Sequence, residues 1–138
     1  MTPLSPQILL VDDEEGVLGF AKIALERSGY RVLTARNGRN SLAIFAEHAR
    51  EIDLVILDLN MPEMSGEDVL LEMQRIQPAV RVVLSTGGGD DEASRRLQGR
   101  GIAGLLFKPY TVRTLAEKVR SVLEAGTQSL HAGPPGNS

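Results

Sequence analysis

A chain of 138 residues is close to the ordinary size of one domain, about 150 residues, so a second folded module of similar size is excluded. Its 42 % apolar and 24 % charged residues suit a packed core rather than a disordered chain. Fifteen Lys and Arg against 18 Asp and Glu give a net charge of −3, which argues against a dedicated nucleic-acid binder. The absence of cysteine excludes disulfides, thiolate catalysis and cysteine-ligated metal.

The apolar runs are too short for a membrane span, which needs roughly 18 residues, and MTPLSPQ lacks the regions of a signal peptide. The expectation is a soluble cytoplasmic protein with no membrane partner and no direct nucleic-acid partner.

In chain order, residues 1–6 read as an N-terminal extension. A strand is expected at 7–11, then a helix at 15–28 ended by Gly29, and a strand at 31–35. A helix at 38–49 follows, with Leu42, Phe45, Ala46 and Ala49 on one face. Next come a strand at 53–58 and a helix at 66–76, opened by Ser65 with Asp68 three residues on as a capping box. The pattern continues with strand 81–85, helix 90–98, strand 102–107 and helix 112–125. Val112, Leu115, Ala116, Val119, Val122 and Leu123 face inward on that last helix, and Gly126 stands where a C-cap would end it. Residues 126–138, rich in Gly, Pro and Ser, read as a flexible tail or linker.

The strands are short, continuous runs of Val, Ile and Leu, as in parallel strands buried on both faces. Five strand–helix units predict an α/β fold with an open, doubly wound parallel sheet. Ligands of such sheets bind beyond the carboxyl ends of the strands. There the sequence places Asp12 and Asp13 after the first strand, Asp58 after the third, Ser85 and Thr86 after the fourth and Lys108 after the fifth.

Three converging carboxylates repel one another unless a cation neutralises them, and hard oxygen ligands select Mg²⁺ or Ca²⁺. Mg²⁺ keeps several waters and leaves room for phosphate oxygens, which suits phosphoryl transfer. An aspartate can accept the phosphoryl group as nucleophile, while a hydroxyl and a lysine hold its oxygens. Taken singly, Asp12 to Glu15 also suit a helix N-terminus, and Asp58, Thr86 and Lys108 suit ordinary loop positions. Their joint placement at strand ends favours the functional reading.

The ordered segments ILLVDDEEGV, LVILDLNMPEMSG, VVLSTG and GLLFKPY resemble the signatures of the receiver domain of two-component response regulators. The resemblance runs from about Gln7 to Ala125, so that 7–125 is the expected receiver unit. It implies the flavodoxin-like strand order 2-1-3-4-5 with five flanking helices. It also implies Asp58 as phosphoacceptor, with Mg²⁺ held by Asp12, Asp13, Asp58 and the backbone carbonyl of Asn60. Thr86 matches the switch hydroxyl and Lys108 the phosphate-pairing lysine, 22 positions later. A cis peptide before Pro109 and a required glycine at Gly66 are family features as well.

The implied donor is a phosphohistidine on a histidine kinase or phosphotransfer protein. The implied output is a change in protein contacts at the face built from the fourth helix, fifth strand and fifth helix. Homodimerisation through that face is known in the family, and the late helices are basic, with Arg95, Arg96, Arg100, Arg113, Lys118 and Arg120. LLFKPY and its following helix also resemble receivers joined to hybrid sensor kinases, so the chain reads either as stand-alone or as a piece of a larger regulator.

Two positions depart from the family. Leu105 stands where an aromatic residue usually couples to the switch hydroxyl, and Gly87-Gly88-Gly89 predicts a mobile loop after Thr86 that orders on phosphorylation. Leu105 keeps open a receiver-like interaction domain that does not switch. A haloacid-dehalogenase-like phosphatase would need a second acid where this chain has Asn60.

Overall fold

A computed structural model of the protein describes residues 5–87 and 91–132. Ten elements alternate along it: β1 (Gln7–Val11), α1 (Glu15–Arg27), β2 (Arg31–Ala35), α2 (Gly38–His48), β3 (Ile52–Asp58), α3 (Gly66–Ile76), β4 (Val82–Thr86), α4 (Asp91–Gln98), β5 (Gly104–Phe107) and α5 (Val112–Ala132). All strand pairings are parallel, in the order β2-β1-β3-β4-β5. The expected flavodoxin-like arrangement is therefore the one observed.

The twofold alternation of side chains along a strand divides the core into two layers. Leu9, Val11, Val55, Leu57, Val82 and Leu84 pack with Phe45, Val69, Leu70, Met73 and Leu97, which come from α2, α3 and α4. Ile8, Leu10, Leu54, Ile56, Val83 and Leu106 point the other way, onto Leu18, Ala21 and Leu25 of α1 and Leu115, Val119 and Val122 of α5. Both faces of the sheet are thus covered, which is why its strands carry no polar alternation.

Local signals act where the sequence put them. Gly29 adopts φ +98° after α1, and the N–H of Tyr30 reaches back to Leu25 O at 3.1 Å, closing the helix end. Ser65 Oγ accepts the N–H of Asp68 at 3.2 Å, opening α3. Ser5 and Pro6 are tied to β2, since their carbonyls accept the Arg31 Nε–H and backbone N–H, each at 2.9 Å.

Several boundaries shift by a single residue, and two differ by more. β5 begins at Gly104 rather than residue 102. α5 continues to Ala132, with Gly126 inside it rather than capping it. An interior glycine costs only about 1 kcal/mol, and Thr127 to Ala132 contain no helix-breaking proline; the first one in this stretch is Pro134. The part of the expected flexible tail from 126 to 132 is therefore helical, and residues 133–138 lie outside the described residues. The expectation of a mobile loop at Gly88 and Gly89 also falls outside the described residues.

Candidate functional site

The reversal of strand order brings the carboxyl ends of β1 and β3 side by side, with Val11 and Leu57 in register. Asp12 and Asp58, the next residue of each run, become neighbours although 46 positions separate them. Both are buried, at 5 % and 2 % exposure. Asp12, Asp13 and Asp58 each offer a carboxylate oxygen, and these oxygens lie within 4.8 Å of one another.

Backbone geometry fixes the two buried acids. Asp12 N–H donates to Ala35 O at 3.1 Å, and Asp12 Oδ1 accepts the N–H of Glu14 at 2.9 Å. Asp58 Oδ1 accepts the N–H of Asn60 at 3.1 Å, while Leu59 N–H donates to Ser85 O at 2.8 Å. Behind this turn sits Gly66, whose N–H donates to Leu59 O at 3.1 Å. A Cβ there would fall 2.6 Å from Asp58 O and 2.7 Å from Leu59 Cα, so only glycine lets α3 approach so closely.

The hydroxyl and the lysine arrive from the other side of β3. Thr86 ends β4 and is 1 % exposed. Its carbonyl accepts the N–H of Lys108 at 2.8 Å, and the Lys108–Pro109 peptide is cis, as the resemblance implied. Lys108 Nζ reaches Asp12 Oδ2 at 2.9 Å, Glu14 Oε1 at 3.1 Å and Asp58 Oδ2 at 3.3 Å. All the sequence-predicted residues, Asn60 included through its N–H on Asp58, lie at this one end of the sheet.

Electrostatics follow from crowding. Burial raises the Asp58 carboxyl to about 7; the Asn60 N–H and the Lys108 charge act against this, and the Asp12 charge reinforces it. Burial alone would lower the Lys108 ammonium, but its bonds to Asp12 and Glu14 and the Asp58 charge outweigh that and hold it above the usual lysine range. Tyr110 is raised to about 12 by burial and by the Asp12 charge. The carboxylates outnumber the lysine, and such an oxygen set fits a hard divalent cation.

Residues 8–120 match the response regulator receiver domain family. This chain belongs to that family. Among curated proteins, the receiver is 35 % identical over 120 residues to sensor kinase CckA of Brucella abortus, covering 87 % of this chain and 13 % of that protein. It is 33 % identical over 117 residues to the transcriptional regulatory protein GlrR of Escherichia coli, covering 85 % of this chain and 26 % of that one. The chain thus spans well under half the length of these relatives.

A crystal structure of a receiver domain protein from Clostridium thermocellum superposes with TM-score 0.84 at 35 % identity, over 89 % of this chain and 98 % of that one. For chemotaxis protein CheY4 of Vibrio cholerae the values are 0.78, 29 %, 86 % and 99 %. Among the described residues, no helix of the receiver is long and apolar enough to cross a membrane.

Sequence reasoning did not single out Glu14, which shares Lys108 with the two buried acids, or Tyr110, which packs 6.2 Å from Phe20 between ring centroids. The run Asp12-Asp13-Glu14-Glu15 held the only signal for the first. The second had none beyond its place two residues after the lysine.

Proposed function

We propose that this receiver accepts a phosphoryl group on Asp58 from a phosphohistidine of a histidine kinase or phosphotransfer protein in the cytoplasm. The observation that carries the reading is a buried carboxylate at a strand end, flanked by two further acids and 3.3 Å from a lysine. Asp12, Asp13 and Asp58 would hold Mg²⁺, joined by the Asn60 carbonyl. The ion supplies charge neutralisation for the transferring group.

An Asp58 carboxylate oxygen forms the new O–P bond as the N–P bond to the imidazole breaks, and the ring keeps the electron pair and takes a proton. Lys108 offers an ammonium to one phosphoryl oxygen and Thr86 a hydroxyl to another. The residues on β4 and β5 thereby sense the product that β1 and β3 form.

Movement of Thr86 toward the phosphoryl group would bias the face of α4, β5 and α5, where a downstream protein or a second copy docks. Leu105 packs on the layer shared with α4 and supports the second reading, an interaction domain that does not switch. The receiver unit is taken as 7–125, with output through protein contact and no direct nucleic-acid contact.

Incubation with Mg²⁺ and acetyl phosphate, followed by intact-mass measurement, tests the reading. One added phosphoryl mass is expected for the wild type and none for Asp58→Asn. No gain in the wild type would overturn it, and a partner affinity unchanged by phosphorylation would favour the second reading.

A further inference from the structure

We propose that Glu14 selects the phosphoryl donor by charge, disfavouring small dianionic acyl phosphates relative to less charged phosphoramidates. The proposal rests on Asp58 being the phosphoacceptor.

Glu14 is the N-cap residue of α1, with extended backbone, φ −89° and ψ 112°. Glutamate is not among the side chains favoured there, and this one makes no capping bond to the helix. Its carboxylate turns instead to Lys108 Nζ, 3.1 Å away and contributed by a residue 94 positions later.

An ammonium has three N–H donors, and in the receiver three carboxylates surround it. A phosphoryl oxygen that is to bind Lys108 must therefore displace one of them. The Asp12 and Asp58 side chains are 7 % and 3 % exposed and held by backbone N–H groups, whereas that of Glu14 is 61 % exposed. Glu14 is the partner that gives way, and until it does it places a negative charge in the path of the donor.

A cavity of about 700 Å³ opens beside the Glu14–Lys108 pair. Glu14 and Lys108 line it together with Val17, Phe20, Pro109 and Tyr110. Apart from the Tyr110 hydroxyl, the other lining side chains are apolar, so an uncharged ring such as a phosphorylated imidazole gains contact there. A small dianion gains none and meets the Glu14 charge before it reaches Lys108. Glu14 is also outside the cluster of three acids suited to a metal, so it can be changed without removing a ligand.

The test compares the full chain with its Glu14→Gln and Glu14→Ala variants at saturating Mg²⁺. Acetyl phosphate serves as dianionic donor and phosphoramidate as monoanionic donor, with kcat/KM followed by intact mass. At low ionic strength both variants should react about fivefold faster than wild type with acetyl phosphate and less than about twofold faster with phosphoramidate. The acetyl phosphate gain should shrink at about 0.5 M salt. Equal or slower reaction of the variants with acetyl phosphate would overturn the proposal, as would an equal gain with both donors, which would mark Glu14 as merely holding Lys108 in place. If neither wild type nor variants took up phosphoryl from either donor, the assignment of Asp58 itself would fall.

Discussion

Asp53 and Asp58 lie on the same strand, near opposite ends of β3, and are used in opposite ways. Asp53 sits where the pairing of β1 with β3 slips between Gln7 and Ile8. Its Oδ2 accepts the Gln7 N–H at 2.8 Å, a donor that the irregular ladder would otherwise leave open. Asp58 has one backbone donor, at 3.1 Å, and faces two other acids. One carboxylate completes the fold; the other is held in the fold at a cost. The lesson is that at the amino end of β3 a carboxylate closes an irregular ladder, while at the carboxyl end Asp12, Glu14 and Asp58 crowd around one lysine.

The largest expected effect sharpens this contrast. The Asp58 carboxyl keeps its proton up to about 7 in the folded state, against about 3.9 in an unfolded chain. Between those values the folded state binds more protons than the unfolded one, so stability falls as pH rises through that window. Without metal at pH about 8, Asp58→Asn should be more stable than wild type by at most about 4 kcal/mol, at roughly 1.4 kcal/mol per pKa unit. The gain should fade toward pH about 4, and urea melts across that range check it. A gain independent of pH would show that the charge is not what burial penalises.

A smaller effect is expected behind Asp58. Gly66→Ala pushes a methyl group into the Asp58 and Leu59 backbone, so it should cost about 2–3 kcal/mol and slow acetyl phosphate uptake. Chemical denaturation and the mass assay report the two losses separately. Smallest is Asp53→Asn, which keeps an oxygen for the Gln7 N–H but loses its charge. It should cost about 1 kcal/mol and leave phosphoryl uptake unchanged; a loss of uptake there would break the division between the two ends.

Much of this was legible in the sequence, for physical reasons that particular residues show. Ile8 to Val11 and Leu54 to Leu57 are apolar at every position because both faces of their strands are covered. The convergence of Asp12, Asp58, Thr86 and Lys108 at one sheet edge was legible because residues that follow parallel strands share that edge. The contact of Glu14 with Lys108 was not, since it depends on a lysine at the end of β5 reaching across two intervening strands to the start of α1. Nor was the length of α5, because Gly126 carries the same letter whether it ends a helix or is tolerated within one.

The ladder between β3 and β4 has a further consequence. Asp12 and Asp13 precede it in the chain, Asp58 is the last residue of its near strand and stands in register with Ser85, and Thr86 and Lys108 arise at or after its far strand. If Asp58 is the phosphoacceptor, the chain divides into a half that takes up the phosphoryl group and a half that senses it, joined by the four rungs of this ladder, by α1 against α5 and by the ion pairs of Arg96 and Lys108 across the divide. On the proposed function, fragments divided in the turn at Pro78 and Ala79 would each carry part of the site, and their reassembly would restore phosphoryl uptake and its sensing together.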